Sequence, residues 1–395
     1  MKHRGPVPGE NRRFGLYVHW PFCESKCPYC DFNSHVGGVA DPAVWAKAYR
    51  REIGRLAGEA PGRRLDSIFF GGGTPSLMDP AVVDEVIGAA RQAWGFSNGI
   101  EITMEANPGS ADASRFAGYR AAGVNRMSVG VQALRDADLQ ALGRRHNVRE
   151  ALAAVDLAMA LFERVSLDLI YARQSQRPEE WSAELRRALG IGTTHLSLYQ
   201  LTIEPGTAFA ARQAAGGLRG MPDEERAAEM YEITQELCSS AGLPAYEVSN
   251  HAVPGAECRH NLIYWTAGDW IGLGPGAHGR LTNGGKRLAT ETPSLPSEWL
   301  SGATAGSGES LRTVLTAQDQ AREYLLSGLR LREGIPLARF ETVLGRPVDR
   351  QPVDDLVDWG MLHATSGASP HLRPTQRGFA LLDAVIRHLD AAWIG

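Results

Sequence analysis

The 395-residue chain is poor in several features that would assign it to a class at once. It has only five cysteines, too few for a disulfide framework in a chain of this length. The longest apolar tract, ALAAVDLAMALF, contains Asp156 and falls short of the ~20 residues a membrane-spanning helix needs. The opening MKHRGPVPGENRR carries basic residues with no apolar stretch behind them, so a secretory signal is not expected. Neither sign of charge dominates: 41 Lys and Arg against 45 Asp and Glu leave a net −4, which gives nucleic acid no electrostatic footing. Neither a P-loop nor a G-x-G-x-x-G signature is present, which lowers nucleotide-triphosphate and dinucleotide readings. No repeat of fixed period is evident. These absences point to a cytoplasmic enzyme or carrier with reduced thiols, and leave peripheral contact with the inner membrane open.

What is present is a regular alternation. FGLYVHW, LDSIFF, IEITME, RMSVGV, VSLDLIY and HLSLYQL read as strands. Between them fall helical patterns from Asp41-Pro42 to about Leu56, Asp79-Pro80 to Trp94, Ala111 to Ala122, Asn147 to Phe162, Pro178 to Leu189 and Pro222 to Ala241. Asp and Asn are good N-caps, and Pro suits the first helical position. Six successive β–α units predict a parallel sheet with helices outside, either a full or partial barrel or a doubly wound sheet. Residues 281–310 are rich in Gly, Ser, Thr and Pro and read as a linker or loops. Residues 311–395 read as a small helical domain, with a wing near HLRPTQRG.

Three of the five cysteines, Cys23, Cys27 and Cys30, sit in PFCESKCPYCDF directly after the first strand. That is the strand end at which βα loops build active sites. Thiolates select zinc or iron–sulfur clusters. Zinc would need a fourth ligand, and His19 and His35 do not sit at zinc-finger spacing. A 4Fe-4S cluster on three thiolates leaves one iron open to a ligand. FFGGGTPS ends the second strand, and its glycines let backbone approach a ligand without Cβ interference. Glu105, Gln132, Arg144 and Asp168 recur at or near later strand ends; each alone reads as a structural salt bridge or cap, but together they converge on one rim. Cys238, in a helical segment, reads as core.

YVHWPFCESKCPYCDF, GGGTPS, NRMSVGVQ and LGRRHN together resemble radical S-adenosylmethionine proteins of the oxygen-independent coproporphyrinogen oxidase group. HLSLYQLTIEPGTAF, YEVSNHAVPGAECRHNLIYW and GLGPGAHGR carry the resemblance further, toward that group's heme-chaperone branch. The likeness runs from about Phe14 to Arg280. It implies a (β/α)6 partial barrel over 14–280 and a mainly helical, winged-helix-like domain over 311–395, with 1–13 flexible. It implies that Cys23, Cys27 and Cys30 hold three irons of a 4Fe-4S cluster. S-adenosylmethionine would chelate the fourth and yield a 5′-deoxyadenosyl radical on one-electron cleavage. It further implies that Tyr17 and Tyr29 flank that cofactor, that Gly72, Gly73 and Thr74 contact it, and that Glu105, Gln132, Arg144 and Asp168 hold its amino, ribose and carboxylate groups. Heme would be the cargo, handed to client heme proteins such as membrane respiratory enzymes, with His260 of HNLIYW as a heme contact and a homodimer as an option.

The sequence departs from the group in three places. The oxidases carry a further cysteine two residues beyond the third cluster ligand, where this chain has Phe32. Their amino-terminal arm is longer than the 22 residues that precede Cys23 here. Both favour the carrier over the alternative, oxidative decarboxylation of coproporphyrinogen III in porphyrin biosynthesis. Third, the turn usually written G-L-P-G-Q-T reads ARQSQR, Ala172 to Arg177, which is expected to reshape the rim near Asp168.

Overall fold

The computed structural model describes residues 13–37, 41–364 and 370–395; the segment expected to be flexible, 1–13, lies outside these but for Arg13. Six β–α units run in order: β1 (Phe14–Trp20), α1 (Pro42–Ala57), β2 (Leu65–Gly72), α2 (Pro80–Trp94), β3 (Phe96–Ala106), α3 (Ala113–Ala122), β4 (Arg126–Gln132), α4 (Val148–Leu161), β5 (Arg164–Tyr171), α5 (Pro178–Leu189), β6 (His195–Gln200) and α6 (Glu224–Ser240). The caps are the ones the sequence offers. Asp41 accepts from the Ala43 N–H at 3.0 Å and Asp79 from the Ala81 N–H at 2.8 Å, each just ahead of a first-turn proline. Asn147 and Glu150 form a reciprocal capping box.

The chain then adds β7 (Asn250–Ala252), α7 (Arg259–Trp265), β8 (Asp269–Leu273), β9 (His278–Asn283), β10 (Lys286–Glu291), α8 (Pro296–Ala305) and β11 (Leu311–Val314). All eleven strands form one sheet, ordered β11-β10-β9-β8-β1-β2-β3-β4-β5-β6-β7. The run from β8 through β6 is parallel, and the flanks are antiparallel. The sheet curls without closing on itself, because β7 and β11 remain its two edges.

Two expectations are corrected here. Residues 281–310 are not a linker: β9 and β10 pair as a hairpin that widens the sheet, and α8 packs on α1. Trp299 is 0% exposed, stacked 5.5 Å from Trp45 and 5.1 Å from Tyr49. The glycines and prolines that suggested a linker instead make the hairpin turn at Gly284-Gly285 and the start of α8 at Pro296. The barrel unit thus extends through β11, beyond the expected boundary at 280.

The carboxyl-terminal region has its own core, formed by Tyr324, Leu325, Phe340, Leu356, Leu389 and Trp393 among others. It contains helices Ala317–Gly328, Leu337–Leu344, Gln351–Asp358, Gln376–Ala380 and Leu382–Trp393, and a two-stranded ribbon pairing Ile335–Pro336 with His371–Leu372. Arg280 at the barrel edge binds both carboxylate oxygens of Glu323 in the first of these helices.

Candidate functional site

Along β3, β4 and β5 the outward residues are apolar and pack under the helices: Ile102 and Met104, Met127 and Val129, Val165 and Leu167. The period-2 alternation of strands then sends Thr103, Glu105, Arg126, Ser128, Ser166 and Asp168 into the barrel. This interior is polar where many barrels are filled with Val, Ile and Leu. Asp168 lies within it, partly buried, accepting from the hydroxyls of Ser128 and Ser166 at 3.0 Å. Burial pushes its carboxyl up, and the hydrogen bonds from Ser197, Ser128 and Ser166 oppose that shift. Arg126 is 2% exposed and its Nε has no hydrogen-bond partner.

At the carboxyl rim a cleft of about 350 Å³ is lined by Cys23, Cys27, Cys30, Tyr29, Gly72, Gly73, Thr74, Glu105, Gln132, Arg144 and Asp168. The structure therefore brings together all of the sequence-expected rim residues except two. The three cysteines are partly buried and unpaired by disulfides. The hydroxyl of Thr74 lies 3.3 Å from Cys23 Sγ, and Arg144 Nη1 lies 3.5 Å from Cys27 Sγ. Such donors suit thiolates carrying an anionic cluster. A Cβ at position 73 would come within 2.8 Å of the Phe22 carbonyl and 3.0 Å of Cys23 Sγ, so only glycine leaves room beside this thiol. Burial raises the Cys23 and Cys30 thiols; bound iron would take the place of their protons. The donor set fits an iron–sulfur cluster.

The rest of the cleft fits a zwitterionic cofactor. Glu105 is pushed up to about 8, first by burial and then by Asp168, against a hydrogen bond from the Gly72 N–H. An ammonium group set against it would hold it ionised. A bulge between Val129 and Gln132 breaks the β4–β5 register, and Gln132 takes a left-handed φ of 71° that turns it to the rim. Arg144 also donates from Nη2 to the Gly130 carbonyl at 3.1 Å, while its Nε is buried without a partner. In the ARQSQR turn Ala172 and Ser175, standing where the group has glycines, hold left-handed φ of 55° and 60°. Arg173 braces the turn by bonding Asp138 at 2.9 Å and Glu184 at 2.6 Å. Those ion pairs tie a loop in which two residues with a Cβ take left-handed conformations.

The two exceptions are Tyr17 and His260. Tyr17 does not line the thiol cleft. It points inside the barrel, its hydroxyl 3.1 Å from His19 Nδ1 and its ring stacked on Phe69. His260 belongs to α7, which lies across the amino-terminal ends of β1, β2 and β3, where His260 meets Ser67 and the Arg259 N–H meets Glu101. The amino-terminal part of this helix thus lies across the floor of the barrel, while Tyr264 and Trp265 at its end face an opening at the side. His260 is 1% exposed; its Nδ1 lies 2.7 Å from Ser67 Oγ and its Nε2 2.7 Å from Tyr264 Oη. Both ring nitrogens are thus engaged, and burial pushes the ring down to about 3. Cys258 is buried beside Glu101, its thiol pushed up to about 12 by desolvation.

Sequence reasoning missed Asn107, Tyr199 and Glu204 in the cleft, Arg126 in the interior, and a second opening. That opening, about 440 Å³, is lined by Phe32, Asn33, Tyr264, Trp265, Trp270 and His278 with Tyr17, His19, Gly72 and Glu105. The polar–apolar alternation of RMSVGV carried the signal for Arg126; nothing local marked the second opening.

Three thiols on the loop after the first strand of a parallel partial barrel, facing a cleft built for a zwitterion, are the arrangement of a radical S-adenosylmethionine protein. The radical SAM superfamily model matches residues 17–186, and the HemN C-terminal domain model matches 315–381. The chain belongs to the HemW family within this superfamily. It is 37% identical to heme chaperone HemW of Escherichia coli K12, covering 94% of this chain and 96% of that protein. It is 37% identical to heme chaperone HemW of Mycobacterium tuberculosis H37Rv over 97% of this chain and 96% of that one. It is 39% identical to Radical S-adenosyl methionine domain-containing protein 1, mitochondrial, of Bos taurus, over 99% of this chain and 86% of that one. Among solved structures, coproporphyrinogen III oxidase HemN from Escherichia coli superposes with a TM-score of 0.80 at 20% identity, covering 96% of this chain and 90% of that one; this likeness shows the fold. Among the described residues no helix is long and apolar enough to cross a membrane.

Proposed function

We propose that the chain is a heme chaperone: it binds heme, holds a 4Fe-4S cluster with S-adenosylmethionine at the rim cleft, and passes the heme to client heme proteins such as membrane respiratory enzymes. The observation that carries this reading is the similarity, nearly end to end, to proteins named heme chaperone HemW. The similarity to the oxidase is one of fold at 20% identity, and Phe32, 60% exposed, stands where the oxidases have a cysteine.

Cys23, Cys27 and Cys30 are the cluster ligands in this reading. Thr74 and Arg144 donate toward two of the three sulfurs and so stabilise the thiolate form. Glu105 receives the ammonium group of S-adenosylmethionine, and Asp168, fixed by its serines, stands behind it. The bound cluster and cofactor supply one-electron chemistry at the cleft. Carriage of heme makes no demand on that chemistry; it needs a seat that protects heme and a rate of release that a client can exploit.

The test is a two-part assay on the reconstituted chain. Loaded with heme and mixed with an apo heme protein, it should lose heme to that client faster than heme transfers unaided. Given coproporphyrinogen III, S-adenosylmethionine and a reductant, it should form no vinyl groups. Protoporphyrinogen IX accumulating over many turnovers would replace the chaperone with the oxidase.

A further inference from the structure

We infer that the heme seat is the aromatic opening beside the thiol cleft, and that His278 Nε2 is the side chain that reaches the iron. This rests on the heme-binding reading above and deepens it by assigning the site. The opening's volume of about 440 Å³ falls within the range of about 300–1,000 Å³ usual for small-molecule sites. Its walls suit a flat aromatic guest. Tyr264 and Trp270 meet edge to face at 4.7 Å, and Trp265 and Phe32 also face the space. Phe32 is 60% exposed, a cost in water for a large apolar ring that a porphyrin face would relieve.

Four histidines lie in or against this region, and their contacts separate them: His35 sits behind Asn33 and outside the lining, its Nε2 3.2 Å from both Asn33 Oδ1 and the Ser294 carbonyl. His19 has both nitrogens engaged, Nδ1 by Tyr17 Oη at 3.1 Å and Nε2 by the Asn33 carbonyl at 2.8 Å. His260 has both engaged as well, by Ser67 and Tyr264. His278 differs. It starts β9, paired across the hairpin with Glu291, and its Nδ1 lies 3.9 Å from a Glu291 carboxylate oxygen. Its side chain is 60% exposed. The carboxylate stands on the Nδ1 side at ion-pair rather than hydrogen-bond distance, within a small rotation of the hydrogen bond that metal-bound histidines commonly make there. Trp270 holds the same residue from behind, its indole N–H donating to the His278 carbonyl at 2.9 Å. The opening shares Phe32, Gly72 and Glu105 with the thiol cleft, so a porphyrin seated there lies next to the S-adenosylmethionine position.

The experiment titrates ferric heme into full-length protein carrying its cluster, following the Soret band. Wild type should give a band characteristic of histidine ligation. His278→Ala should weaken binding by about tenfold or more and shift the band, with iron and sulfide content unchanged because the residue is exposed and does not line the thiol cleft. His260→Ala should leave the band where it is, and Phe32→Ala should weaken affinity without moving the band. Wild type that binds no heme would overturn the chaperone reading itself. Wild type that binds heme, with His278→Ala identical to it in affinity and band position, would overturn the assignment and leave the chaperone reading standing.

Discussion

Glu105 is where one residue's environment sets a measurable property of the molecule. Unfolded, its carboxyl ionises near its usual 4.5; folded, only near 8. Between those values the folded state holds a proton that the unfolded state has lost, so this group's effect is a fall in stability as pH rises through the window, levelling off above it. Glu105→Gln removes the effect. In cluster-free protein, urea titrations at pH 5 and pH 8 should show the variant losing less stability than wild type, with a difference on the order of a few kcal/mol, since one pKa unit is about 1.4 kcal/mol. Equal losses would mean that Glu105 is ionised in a salt bridge. Ser175 offers a second test at this scale. Its φ of 60° lies in the left-handed region, which costs a residue with a Cβ roughly 1–2 kcal/mol. Ser175→Gly should therefore be neutral or stabilising by up to ~1 kcal/mol, the gain partly offset by a freer unfolded chain. Ser175→Val should lower stability by at least ~1 kcal/mol, because a β-branched residue tolerates that conformation least. A valine accepted at no cost would show that the turn does not hold this conformation.

At the scale of elements, the segment 281–310 carries the clearest lesson. Its composition reads as a linker, yet β9, β10 and α8 are part of the barrel unit. Trp299 makes the difference, because an indole buried against Trp45 and Tyr49 ties α8 to α1. Trp299→Ala should cost ~3–5 kcal/mol, the range for deleting a buried aromatic, measured as a drop in the chemical denaturation midpoint. Limited proteolysis of wild type should give no cut within this segment; a preferred cut there would restore the linker reading. The helix α7 teaches the complementary point. HNLIYW is conspicuous as a motif, but its histidine serves as a polar joint between α7, β2 and Tyr264. Placing a helix across the barrel floor requires a buried hydrogen-bonding group, because the floor strands present Ser67 and Glu101 inward.

Across the whole molecule, two units with separate cores meet where Arg280 grips Glu323 and Arg339 donates to the Thr266 carbonyl at 2.8 Å. Ser327 of the carboxyl-terminal helices reaches the aromatic opening, so the proposed heme seat has walls from both units. The sequence by itself determined the six β–α units, their caps and the convergence of Cys23, Cys27, Cys30, Glu105, Gln132, Arg144 and Asp168 on one rim. These are consequences of local rules: period-2 alternation, Asp-Pro starts, and the fact that strand ends in a parallel sheet share one edge. Only the tertiary structure decided which way Tyr17 points, that α7 lies across the floor of the barrel, that Ala172 and Ser175 take left-handed φ, and that His260 has both ring nitrogens engaged while His278 stands 60% exposed. Such features depend on partners elsewhere in the chain: His260 is tied by Ser67, 193 residues distant, and His278 faces Glu291 across the hairpin. Whether a donor is spent or available is set by such contacts, and no local pattern of residues encodes it.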